Sequence, residues 1–166
     1  MKKNVSKKSR IKFPAYEPWI SNEDKKIVYE TLKQNMLTLG PKLEKFESDF
    51  CKYSKAKYAV AVSNCTAALH LSLMALGIGK GDEVIIPDLT FVADANAVLA
   101  CNAKPILTDI NKEDFFLSIS NIKKNITKKT KAIIPVHIYG QVCNIDEILD
   151  VAKDNNLKVI EDCAHA

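Results

Sequence analysis

The sequence predicts an α/β fold, a mostly parallel sheet with helices on both faces. Short, almost continuously apolar runs, among them Glu83 to Pro87 and Ala132 to Val136, alternate with longer segments of helical periodicity. These runs lack the in-and-out alternation of a sheet with one wet face, so they are expected to be buried on both sides, as parallel strands are. Each is followed by a turn and then a helix, the order that right-handed βαβ crossovers require.

The chain opens with Lys2, Lys3, Lys7, Lys8, Arg10 and Lys12, read as a basic flexible tail over residues 1–12. Pro14 and Pro18 keep the next stretch extended, and Ser21 with Asp24 forms a capping box that opens a helix through about Asn35. That helix should carry Ile27, Val28 and Leu32 inward. After a Gly40-Pro41 break, Leu43, Phe46 and Phe50 recur at helical spacing, so residues 13–57 read as an amino-terminal helical segment.

From Tyr58 the rhythm changes. Tyr58 to Ser63 reads as a first strand, Thr66 to Leu76 as an almost wholly apolar helix, and Gly77, Gly79 and Gly81 as its end. The unit repeats as Glu83 to Pro87 with Val92 to Ala100, Lys104 to Asp109 with about Ile119 to Asn125, and Ala132 to Val136 with Ile145 to Asn155. Strand Lys158 to Glu161 closes a series of five. In the helix after Asn144, Ile145, Ile148, Leu149 and Ala152 share one face, and Glu147 stands at the capping-box position.

Composition narrows the class of function. A hydrophobic content of 47% is enough for a packed core, and the net charge of +4 comes from the first 12 residues, which contain no acid. The remainder is close to neutral, so neither nucleic acid nor a membrane surface is expected as a partner. No secretory h-region and no run approaching ~20 apolar residues is present. Five scattered cysteines without a Cys-x-x-Cys pair, and three histidines without close pairing, argue for reduced thiols in a cytoplasmic setting and against a metal site.

The chemistry is expected at the carboxyl edge of the sheet, where strand ends and helix starts form a crevice. The turn Ser63-Asn64-Cys65-Thr66-Ala67 offers unpaired N–H groups, a positive dipole end and hydroxyls, either a phosphate cradle or a simple helix cap. Pro87-Asp88-Leu89-Thr90-Phe91 places an aromatic ring at the same edge; spacing alone favours Phe91 as the first core residue of its helix, with stacking on a flat ligand as the other reading. Pro135 to Gly140 adds His137 and Tyr139, and His137 is left unassigned. Lys158-Val-Ile-Glu-Asp162 delivers a carboxylate that needs a cation or hydrogen bonds once buried. Cradle, aromatic plate and acid in this order fit pyridoxal 5'-phosphate, whose pyridine nitrogen an acid keeps protonated.

The runs T-L-G-P-K-L-E-K-F-E, V-S-N-C-T-A-A-L-H-L-S-L, G-I-G-K-G-D-E-V-I-I-P-D-L-T-F-V-A-D-A-N-A-V, I-I-P-V-H-I-Y-G-Q and V-I-E-D-C-A-H-A resemble the DegT/DnrJ/EryC1/StrS family of pyridoxal-phosphate-dependent sugar aminotransferases, over about Phe13 to Ala166. The resemblance implies an aspartate-aminotransferase-like (type I) large domain and a homodimer. It also implies a nucleotide-linked keto-sugar as substrate and glutamate or glutamine as amino donor. By position, Thr66 and Ala67 would hold the cofactor phosphate, Phe91 would stack on the ring, Asp162 would pair with its nitrogen, and His165 would take the place of a Gln at the ring hydroxyl. Cys65 stands where Gly is frequent. The Schiff-base lysine is expected downstream of Ala166. On that reading residues 58–166 are a partial cofactor-binding large domain, incomplete at the carboxyl end and without the small domain. No catalytic residue then falls within the chain, an amino-terminal fragment expected to be inactive alone. Other readings within the resemblance are a keto-sugar dehydratase or an aminocyclitol aminotransferase; outside it stand a truncated product and a non-catalytic binding module.

Overall fold

The computed structural model describes residues 18–166, so the expected tail over residues 1–12, and residues 13–17 with it, lie outside the described residues. The described residues form two compact units that meet in sequence between Ala61 and Val62.

The first unit holds α1 (Asn22–Leu32) and α2 (Pro41–Ser54). The capping box at Ser21 forms: its hydroxyl accepts from the Asp24 N–H at 3.0 Å and the Asp24 carboxylate accepts from the Ser21 N–H at 2.8 Å. Helix α1 ends at Leu32 rather than near Asn35, because Lys33 to Asn35 turn away into an irregular connection. Its apolar face is not inward. Ile27, Val28 and Leu32 are each more than half exposed, since periodicity defines a face without specifying what covers it. Gly40 caps α2 and Pro41 fills its first helical position, where the missing N–H costs nothing. Phe46 and Phe50 meet one turn apart as a tilted pair, with ring centroids at 6.2 Å and planes at 44°, and remain half exposed.

The expected first strand, Tyr58 to Ser63, does not form: these residues are extended or bent without ladder pairing, and Tyr58 and Val60 are exposed. An extended apolar run becomes a strand only when another backbone accepts its hydrogen bonds, and no described strand does.

The second unit is a four-stranded, wholly parallel sheet: β1 (Glu83–Pro87), β2 (Lys104–Thr108), β3 (Thr130–Ile133) and β4 (Lys158–Val159), in the order β2-β1-β3-β4. Helices α3 (Cys65–Ala75) and α4 (Ala93–Ala100) cover one face, and α5 (Ile119–Asn125) and α6 (Ile145–Asp154) the other. Successive residues of β1 feed the two cores alternately: Val84 and Ile86 pack with Leu69, Leu73, Ala97 and Val98, while Ile85 packs with Ile122, Ile133, Ile148 and Val151. All five residues of β1 are therefore buried, as a central parallel strand requires. At α6 the buried stripe is Ile148, Val151 and Ala152, with Leu149 half exposed. Its capping box is also absent, because the Asn144 amide donates to the Glu147 carboxylate instead of the carboxylate accepting a backbone N–H.

Strands β3 and β4 are shorter than their apolar runs, but the chain stays in register beyond them. Val136 bridges Asp162 in parallel; the Asp162 N–H donates to the Pro135 carbonyl at 2.9 Å and the His137 N–H to the Asp162 carbonyl at 3.0 Å. These two bonds set the backbone of Asp162 at the carboxyl edge of the sheet.

Candidate functional site

Four chain segments converge at that edge around a cavity of about 200 Å³. The start of α3 contributes Cys65 and Thr66, the β1–α4 connection Thr90 and Phe91, the chain after β3 Val136 and Ile138, and the chain after β4 Asp162, Ala164 and His165. Four of the five residues expected at a cofactor site, Thr66, Phe91, Asp162 and His165, thus line one cavity. The fifth, Ala67, is not among the lining residues; its N–H donates to the side chain of the N-cap residue Asn64 at 2.9 Å. The turn is therefore a capped helix start. The N–H groups of Cys65 and Thr66 ahead of it have no acceptor within the helix.

Phe91 is not a core residue. It precedes α4, is 67% exposed and lies on the cavity wall, so the packing reading that its spacing favours is overturned. The reason is the register of α4, which buries Ala93, Asp94, Ala97 and Val98 and begins after Phe91.

Asp162 is 4% exposed. Its Oδ1 accepts from the Ala164 N–H at 2.9 Å and from the Cys65 thiol at 3.3 Å, which leaves Oδ2 without a protein donor within hydrogen-bonding distance among the described residues. Burial, followed by the Asp162 carboxylate, pushes the Cys65 thiol up to about 11, so it remains S–H and serves as a donor. His165 stacks on Tyr139 with ring centroids at 6.0 Å and an interplanar angle of 22°. Tyr139 takes a left-handed backbone (φ 55°) at the tight turn after β3.

His137 has a structural role. Its Nδ1 accepts from the Cys143 N–H at 3.1 Å, so Nε2 carries the proton and donates to Glu161 at 3.0 Å. Both ring nitrogens are occupied, and the ring ties the chain after β3 to the chain after β4.

Asp94 was not signalled as a site residue. It is fully buried behind the cavity, with Oδ2 accepting from the Thr90 hydroxyl at 2.7 Å and Oδ1 without any partner. A carboxylate in the first turn of a helix ordinarily reads as a solvated dipole partner. The available signal was an acid set among otherwise almost wholly apolar residues in A-D-A-N-A-V-L-A.

No lysine is among the residues lining the cavity. Among the described residues no group of three His, Cys, Asp or Glu side chains is placed to hold a metal ion, and no helix is long and apolar enough to cross a membrane.

The donor set suits a flat, anionic ligand with a cationic ring atom. The start of α3 and two threonines line the cavity with an exposed aromatic ring and a buried carboxylate that has one oxygen without a protein donor among the described residues. Fold and site together define an α/β domain of the parallel-sheet class with a cavity at the carboxyl edge of its sheet. The chain belongs to the DegT/DnrJ/EryC1/StrS aminotransferase family, which it matches over residues 18–166.

Among its relatives, GDP-perosamine synthase of Escherichia coli O157:H7 is 46% identical, over 92% of this chain and 42% of that protein. Of the solved structures, Spr1654 from Streptococcus pneumoniae in its PLP-form superposes with a TM-score of 0.87 at 31% identity, over 93% of this chain and 43% of that one. NtdA from Bacillus subtilis with bound cofactor PMP superposes with a TM-score of 0.80 at 40% identity, over 86% and 34%. The chain spans about two fifths of the length of the curated relatives that it matches.

Proposed function

We propose that this protein is a pyridoxal-5'-phosphate-dependent aminotransferase. It moves an amino group from glutamate or glutamine to a nucleotide-linked keto-sugar, in amino-sugar biosynthesis, and residues 58–166 are its cofactor-binding domain. The observation that carries the proposal is the placement of Asp162: a buried carboxylate at the carboxyl edge of a parallel sheet, with Oδ2 left without a protein donor beside an exposed aromatic ring. The similarity to GDP-perosamine synthase supports a nucleotide sugar as the substrate class.

The residues present fit the cofactor. Asp162 Oδ2 would accept a hydrogen bond from the protonated ring nitrogen, with Oδ1 anchored by Ala164 and Cys65. Phe91, on the cavity wall, would stack on the ring. The Cys65 and Thr66 N–H groups and the Thr66 hydroxyl would hold the phosphate at the positive end of α3, together with Ala67, whose N–H donates to the Asn64 side chain here. His165, stacked on Tyr139, would contact the ring hydroxyl. When bound, the cofactor supplies a protonated pyridine ring that draws electrons from the reacting carbon. The exposed apolar face of α1 and α2, with Val28, Leu32, Phe46 and Phe50, supports action as a homodimer.

Equilibrium dialysis against pyridoxal 5'-phosphate, followed by mass spectrometry of products from glutamate and nucleotide keto-sugars, tests this reading. We expect saturable cofactor binding weakened at least ~10-fold in Asp162→Ala, roughly 1.4 kcal/mol or more. In a protein that carries the Schiff-base lysine as well, amino sugar and 2-oxoglutarate should appear in equal amounts, while residues 18–166 alone are expected to bind the cofactor without turnover. Equal binding by wild type and Asp162→Ala would contradict the reading.

A further inference from the structure

Asp94 has no task in the function proposed above, yet no polar side chain of the unit is more completely enclosed. It shares full burial only with Thr108 among the buried polar residues, and its Oδ1 is the one buried side-chain oxygen or nitrogen without a partner among the described residues. Ala93, Ala97 and Val98 of the same helix are also buried. Thr90, whose hydroxyl donates to Asp94, lines the same cavity as Cys65 and Asp162. The Asp162 carboxylate, from the chain after β4, raises the Asp94 carboxyl, and both carboxylates raise the Cys65 thiol of α3. Neither carboxylate takes part in an ion pair among the described residues. Two buried acids that act on each other without a cation cannot both ionise cheaply.

Their environments separate them. Asp162 Oδ1 accepts from a backbone N–H and a thiol, and Oδ2 has no protein donor. Asp94 has one hydroxyl donor on Oδ2 and a bare Oδ1. The negative charge is better solvated on Asp162, and a proton is better placed on Asp94, where it removes the bare oxygen and supplies a donor.

We propose that Asp94 is a positioning residue for Asp162: held as the neutral acid, it directs its proton from Oδ1 toward the Asp162 carboxylate, so that the pair carries one negative charge, placed on the residue that lines the cavity. Burial first, and the Asp162 carboxylate after it, push the Asp94 carboxyl up to about 6 against the opposing Thr90 bond. Asp94 thus keeps its proton below about pH 6, the range in which this positioning acts, and releases it above. The effect on cofactor binding rests on the function proposed above; the protonation of the pair does not.

Carbon NMR of the protein labelled at aspartate carboxyl carbons, without cofactor, tests the pair directly. The account expects one resonance with a midpoint near 6, absent from Asp94→Asn and shifted toward the ordinary carboxylate range in Asp162→Asn. An Asp94 midpoint in the ordinary range, or one indifferent to Asp162→Asn, would overturn it. In the second arm, Asp94→Ala is expected to weaken pyridoxal-phosphate binding at least ~10-fold at pH 5.5, with most of the loss recovered in Asp94→Asn, which keeps a neutral donor. Equal losses in Ala and Asn would overturn the positioning role. A protein that binds no cofactor but shows the raised, Asp162-dependent midpoint would refute the proposed function and leave the pair standing.

Discussion

The Cys65 thiol lies 3.3 Å from Asp162 Oδ1, joining the first residue of α3 to an acid 97 positions later in the chain. The thiol is a donor because it is kept protonated, so its chemistry as a nucleophile is suppressed by burial first and then by the contact that gives it a structural use.

Alkylation at pH 8 should therefore spare Cys65 relative to Cys51, measured by peptide mass spectrometry over time. Cys65→Ala should cost cofactor affinity by about 0.5–1.5 kcal/mol, the worth of one hydrogen bond, while Cys65→Ser restores a donor and most of the affinity. Rapid alkylation of Cys65 would contradict its protonated, bonded state.

Phe91→Ala separates cavity wall from core. A buried Phe costs about 3–5 kcal/mol on truncation, whereas the exposed ring here should leave stability within about 0.5 kcal/mol. Cofactor affinity should fall by roughly 0.5–1.5 kcal/mol for the lost stacking, with Phe91→Tyr retaining it. Urea melts and dialysis on the same samples read the two effects.

His137→Phe keeps the packing volume and removes both ring nitrogens. The buried Cys143 N–H then loses its acceptor, and a stability loss of about 1–3 kcal/mol is expected from the shift in urea midpoint. Cofactor binding should change far less, because His137 is not on the cavity wall.

Stability should also depend on pH through Asp94. Its folded pKa, about 6, lies above the ~3.9 of an unfolded aspartate, so between those values the folded state binds the proton and the unfolded state does not. Stability is then greatest below about pH 4, falls as pH rises to about 6, and no longer changes through this group above that. Melting temperatures of Asp94→Asn should lack this component, so the difference between wild type and variant should vary with pH over that window and level off outside it.

Local chemistry was legible in the sequence where it is self-contained. The Ser21 capping box and α5 depend on neighbours a few residues away and form where their patterns place them; β1 forms where its apolar run lies because β2 and β3 pair with it. Tyr58 to Ser63 has the same apolar character as β1 but finds no pairing partner, a property of other chain segments. Likewise the apolar face of α1, with Ile27, Val28 and Leu32, announces a covered surface without specifying its cover. At the site, Asp162 stands out because a carboxylate ends an apolar strand. Asp94 does not, because its burial is a property of the packed unit, which no local spacing records.

The most direct test of the account is nitrogen NMR of pyridoxal phosphate labelled at its ring nitrogen and bound to the protein. With Asp162 in place, the ring nitrogen should be protonated well above the pH at which the free cofactor loses that proton, and Asp162→Asn should return it to the unprotonated form while binding persists through Thr66 and Phe91. A ring nitrogen with the same protonation in wild type and Asp162→Asn would contradict the role assigned to Asp162.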